Sequence, residues 1–115
     1  MPADFNKLDA YGRPNVVAIS PITEIYDGRK VVAAAGVREP LSSTPVVARY
    51  VVLTAETDNT GVIVVGGETV VAAQATRRGT PLAAGASMGV PCDNLADIYL
   101  DSTVSGDGVT FAYLS

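Results

Sequence analysis

No stretch of about a dozen residues in this chain keeps a helical period without meeting a breaker. The pattern is instead a series of short apolar runs, rich in valine, divided by clusters of glycine, proline, aspartate, asparagine and serine. β-Branched side chains suit pleated sheet better than helix. Residues 16–22 (VVAISPI), 30–37, 46–55, 62–65, 68–75, 97–104 and 109–114 read as strands. Asp27-Gly28 reads as a hairpin turn. Residues 39–45 read as a loop, the one place for a linker. Residues 56–61 and the SGDG of residues 105–108 read as turns. The main helical competitor spans residues 68–76, where valine and threonine disfavour it.

About eight short strands in one chain of 115 residues predict an all-β fold, a jelly-roll-like β-sandwich. Residues 16–115 form its single domain. Residues 1–15 are an extended amino-terminal arm, polar but carrying Phe5, Leu8 and Tyr11 as apolar anchors. A domain of this size buries roughly two-thirds of its unfolded surface, enough for one modest core. With no tryptophan and few aromatics, that core is built from Val, Ile, Leu and Ala.

Strand alternation places Val47, Arg49, Val51 and Leu53 on one side of residues 46–55. Ala48, Tyr50, Val52 and Thr54 lie on the other. Neither face is purely polar, which predicts cover on both sides in an assembly. In the last strand Val109, Phe111 and Tyr113 share one face. The uncharged stretch GTPLAAGASMGVP, residues 79–91, reads as the loop and short strand of a sandwich rim. Gly85 turns the chain so that Leu82 and Met88 reach the core. Pro81 and Pro91 block regular pairing at its two ends.

Chemistry is narrowed by what the chain lacks. It has no histidine, which removes Ser-His and Cys-His nucleophile pairs and imidazole zinc sites. One cysteine, Cys92, forms no intrachain disulfide and no Cys-rich metal cluster. No cofactor is expected, and no enzymatic role. The net charge is −4, with dispersed cations and no aromatic platform beside them, so nucleic acid is not an expected partner. No apolar run approaches the roughly 20 residues of a membrane helix, and the first residues lack the apolar core of a signal peptide.

Candidate motifs are correspondingly few. Asp93, Asp97 and Asp101 are spaced four apart but fall on a strand pattern, where they do not converge on a cation. Residues 101–108 place two carboxylates around a glycine-rich turn without the ordered ligand spacing of a calcium loop. DNTG at residues 58–61 is explained by Asx-Gly turn chemistry. Gly66-Gly67 lack the continuation of a phosphate loop. Arg77 and Arg78 form the one Arg-Arg doublet, suited to carboxylates of a neighbouring subunit, or a solvated loop.

From Arg49 onward the layout resembles small β-sandwich domains of tailed-phage virion proteins. The matching positions are residues 59–61, 62–67, 81–87 (Pro-Leu-x-x-Gly-x-Ser), 97–100 (Asp-Ile-Tyr-Leu) and 106–114. The resemblance implies a capsid decoration (cement) protein, or a head-fibre part. It would be made in a host cytoplasm and carried on the outside of the virion. It implies the major capsid protein and the chain itself, as homodimer or homotrimer, as partners. Phe5, Leu8, Tyr11, Arg77 and Arg78 are the contact residues expected of it here. The alternative is a carbohydrate- or receptor-binding module on the same sandwich, using Tyr26, Tyr50 or Tyr99.

Overall fold

A computed structural model describes residues 24–115. The strand expected over residues 16–22 and the arm over residues 1–15 lie outside these residues. Among the described residues, eight strands form two four-stranded antiparallel sheets. The strands are β1 (Ile25–Val31), β2 (Glu39–Pro40), β3 (Tyr50–Ala55), β4 (Ile63–Gly66), β5 (Thr80–Leu82), β6 (Ser87–Pro91), β7 (Tyr99–Ser102) and β8 (Gly108–Leu114). Sheet I has the order β1-β8-β3-β6, and sheet II the order β2-β7-β4-β5. The pairing is nested: β1 with β8, β2 with β7, β3 with β6, β4 with β5. The chain therefore behaves as one long hairpin rolled into two layers, in keeping with the expected jelly-roll-like sandwich.

Period-2 alternation decides which side chains fill the space between the layers. Val51, Leu53 and Ala55 of β3 point inward beside Val109 of β8. They meet Ile63, Val65, Leu82 and Leu100 from sheet II. Leu41 and Leu95 close the end of the core at which the chain enters β1. Phe111 and Tyr113 flank the same core, as their shared face with Val109 requires.

Several local expectations are corrected. Asp27 and Gly28 do not turn. They lie inside β1, paired with Ala112 and Phe111 of β8. The glycine serves close approach here: a Cβ on Gly28 would stand 2.6 Å from Cζ of Phe111. The expected strand over residues 30–37 ends at Val31, and residues 32–38 form a loop. The loop expected over residues 39–45 contributes β2, and it is no linker, because Glu39–Pro40 pair with Leu100 and Tyr99. The strand at residues 97–104 contracts to Tyr99–Ser102, after a 3-10 turn at Leu95–Asp97.

The largest correction concerns residues 68–75, which are neither strand nor α-helix. Residues 67–79 fold as an irregular roof with a 3-10 turn at Gln74–Thr76. Val70 and Ala72 of the roof pack on Val64, which points out of the far face of sheet II. Alternating apolar residues can satisfy such a roof as well as a strand. Residues 79–91 cross between the layers, from β5 in sheet II to β6 in sheet I. Gly85, at φ 83°, makes the turn. Leu82 is buried, and Met88 packs on the core, as read. Pro81 and Pro91 do not stop the ladder but sit within it, on the edge strands β5 and β6. An edge strand tolerates proline because one side needs no donor.

Leu53 is fully buried at the centre of the core. Leu53→Ala is expected to lower unfolding free energy by about 2–5 kcal/mol. The shift in urea midpoint at unchanged slope measures it.

Candidate interaction face

The two outer faces of the sandwich differ in cover. That of sheet II carries the roof. It is tied down by Asp101, a carboxylate on the outer side of β7 that is 2% exposed. Its Oδ2 accepts the Ala72 amide at 2.8 Å. Its Oδ1 accepts the amides of Gly36 at 3.0 Å and Ser102 at 2.8 Å. One side chain thus joins β7, the roof and the β1–β2 loop. Asp107 does similar work beside it, accepting the amides of Thr60 at 3.2 Å and Gly61 at 2.8 Å. Asn59 completes this end, donating from Nδ2 to the Gly108 carbonyl and accepting the Gly108 amide at Oδ1. The carboxylates of residues 101–108 are therefore occupied by backbone donors. Among the described residues, no group of three Asp, Glu or Cys side chains stands together as a metal site.

The outer face of sheet I has no such roof among the described residues. Strand register arranges it in three rows. Ile25, Leu114, Tyr50 and Pro91 stand side by side across the four strands. Asp27, Ala112, Val52 and Gly89 form the next row, then Arg29, Thr110, Thr54 and Ser87. The face grades from apolar at one end to polar at the other. Ile25 is 72% exposed, Val52 41% and Tyr50 39%. The Tyr50 ring lies across Gly89, where a Cβ would meet it. A shallow hollow of about 520 Å³ opens among Asp27, Arg29, Val52, Thr54 and Thr110. At the polar end Thr54 and Ser87 hydroxyls bond at 2.7 Å. The Arg29 guanidinium forks onto the Glu56 carboxylate, with Nη2 donating to Oε1 at 3.0 Å.

The sequence-derived contact residues do not gather on this face. Arg77 is half-buried in the roof, with Nε donating to the Ala72 carbonyl at 3.0 Å. Arg78 is exposed, and its backbone exchanges two bonds with Val71. Both arginines hold the roof on the opposite side of the sandwich. Phe5, Leu8 and Tyr11 lie outside the described residues. Tyr99 packs on Val64, whereas Tyr26 and Tyr50 are exposed. The apolar row was missed because it assembles from four strands. Only its Tyr50-Val52 alternation is visible along the chain.

Cys92 lines a cleft of about 370 Å³ between the sheets, with Val65, Met88, Val90, Asp97 and Ile98. Burial pushes its thiol up, and the carboxylates of Asp93 and Asp97 push it further. It is therefore protonated at neutral pH and a weak nucleophile. No family model, no curated protein and no solved structure matches this chain.

Asp101→Ala leaves the buried amides of Ala72 and Ser102 without their acceptor, and is expected to cost about 2–4 kcal/mol. Asp101→Asn keeps one acceptor oxygen and loses less; denaturant titration of the three proteins checks the order. A second expectation concerns acid. The Lys30 ammonium, 2.9 Å from Glu39, and the Ala33 amide hold the Glu39 carboxyl below its usual range. Arg29 does the same for Glu56. Depressed carboxyls contribute stability that is fully present above the unfolded value, about 4.3. It is lost as pH falls through the lower folded values. The urea midpoint should therefore drop between pH 5 and 3, and drop less in Glu39→Gln.

Proposed function

We propose that this chain is a structural virion protein, a capsid decoration protein that binds the outer surface of a phage head and stabilises the shell. The observation that carries the reading is the outer face of sheet I, which has no roof among the described residues. Its Ile25, Tyr50 and Val52 are exposed, while the opposite face is roofed by the chain's own loop. A small sandwich roofed on one side and carrying an exposed apolar row on the other suits a part that is finished by contact. The resemblance of residues 49–114 to phage virion domains supports the same class. The mechanism is mass action. A protein that binds assembled shell, and not free subunits, stabilises the shell by its binding free energy. Many weakly bound copies, or copies joined to one another, raise the effect through multivalency.

A glycan-binding reading is favoured by one observation, the exposed ring of Tyr26, which stacks on Tyr113 at 5.4 Å. A glycan array without hits ends it.

The test is co-sedimentation with shells assembled from the major capsid protein of the same genome. The full chain is expected to saturate the shells and raise their melting temperature. Deletion of residues 1–14 is expected to leave a folded body with shell binding lost. Unchanged affinity of the truncated chain removes the arm from the mechanism. Failure of the full chain to bind removes the decoration role.

A further inference from the structure

A sandwich has four sheet edges, and open edges invite pairing with other chains. Three of the four are blunted here. β2 is two residues long and includes Pro40. β5 is three residues long and includes Pro81. β6 ends in Pro91. The fourth edge, β1, is seven residues long and has neither proline nor bulge. Among the described residues no strand lies along its outer side.

Which β1 groups are free follows from the ladder to β8. The Glu24 carbonyl accepts the Ser115 amide, and Val32 exchanges bonds with Asp107 and Gly106. Even-numbered residues therefore face β8. By alternation Ile25, Asp27, Arg29 and Val31 aim both N–H and C=O away from the sheet. These four are the positions a new strand would bond.

The β1 sequence is Ile-Tyr-Asp-Gly-Arg-Lys-Val. Laid antiparallel against itself about Gly28, it complements itself at every position. Ile25 stands opposite the partner's Val31, Tyr26 opposite the partner's Lys30, and Asp27 opposite the partner's Arg29. Gly28 meets its own copy. An apolar pair, an aromatic-cation pair and an opposite-charge pair are the cross-strand combinations that stabilise a sheet. The register also satisfies the backbone, because outward-facing residues meet outward-facing residues. The competing register about Asp27 puts two carboxylates face to face and is disfavoured. Among the described residues Asp27 has no ion pair, and Arg29 keeps a side chain 60% exposed beside its Glu56 partner. Ile25, 72% exposed, would be covered by the partner's Val31.

We infer that the occupant of this edge is a second copy of the chain. β1 pairs with β1 across a two-fold axis at Gly28, joining the two copies of sheet I into one eight-stranded sheet. The two outer faces of sheet I then form one continuous surface. The inference stands apart from the virion role, since it rests on the edge and its sequence alone.

The full chain is tested by sedimentation velocity across 1–100 µM, with circular dichroism confirming the fold of each variant. Wild type is expected to be a dimer. Asp27→Arg places like charges opposite each other and should weaken the dimer at least tenfold. Adding Arg29→Asp restores opposite charges in swapped positions and should restore the dimer. Asp27→Pro removes an outward amide, leaves the β8 ladder intact, and should yield a monomer. In a Cys92→Ser background, Tyr26→Cys with Lys30→Cys places cysteines at a non-hydrogen-bonded pair of the dimer. Their Cα separation, about 4.5 Å, permits a disulfide. A cross-linked dimer on a non-reducing gel is expected, and neither single-cysteine variant should cross-link efficiently. A monomer at every concentration overturns the inference. So does a trimer, which two-fold edge pairing cannot build, or a dimer indifferent to both Asp27→Arg and Asp27→Pro.

Discussion

The Asp101 carboxylate is the tie on which the sandwich's second layer depends. A carboxylate this buried is tolerated only when donors replace its water. Asp101 gains three amides, from Gly36, Ala72 and Ser102. Those bonds hold the roof on Val64 and the β1–β2 loop on the end of β7. With the roof in place, sheet II is buried on both faces at β4. That strand can then carry apolar residues at successive positions, as Ile63, Val64 and Val65 do. Asp107 and Asn59 extend the same device to the β3–β4 loop, so one end of the sandwich is closed by polar side chains gripping backbone.

The asymmetry between the layers follows. Sheet II is finished within the chain, whereas sheet I is covered on its inner side only among the described residues. The exposed apolar row of Ile25, Tyr50 and Pro91 and the open edge of β1 belong to the same sheet. Self-pairing along β1 and contact through the outer face are compatible, because one uses the edge and the other the flat surface. A dimer would present two such surfaces on one rigid sheet, and doubled contact suits binding to a repeating partner.

Alternation was legible from Tyr50 onward but not before it: β3 begins at Tyr50, so Val47, grouped with Val51 and Leu53, is exposed, and Ala48, grouped with Tyr50, is buried. Val51 and Leu53 point in, Tyr50 and Val52 point out, and Val109, Phe111 and Tyr113 share the inner face. The misread segments share a cause. Asp27-Gly28 has the composition of a turn, but Phe111 needs the space above a glycine in a strand. Residues 68–75 have the apolar spacing of a strand, but Val70 and Ala72 meet Val64 from an irregular loop. Local composition reports what a backbone tolerates; the facing side chain selects among the options. Asp101 did leave a signal, a carboxylate inside the apolar run DIYLD, whose meaning needs the donors that arrive from residues 36 and 72.

By itself the sequence determined the all-β class, the two-layer sandwich of about eight strands, the aliphatic residue types of the core and the exclusion of histidine chemistry. Those follow from residue type and a period of two, which are local. Only the tertiary structure decided which sheet is roofed, which edge no described strand covers, and that Arg77 and Arg78 hold the roof. These depend on which strands become neighbours, and nested antiparallel pairing brings together residues as distant as Ile25 and Leu114. No short window of the chain contains that information.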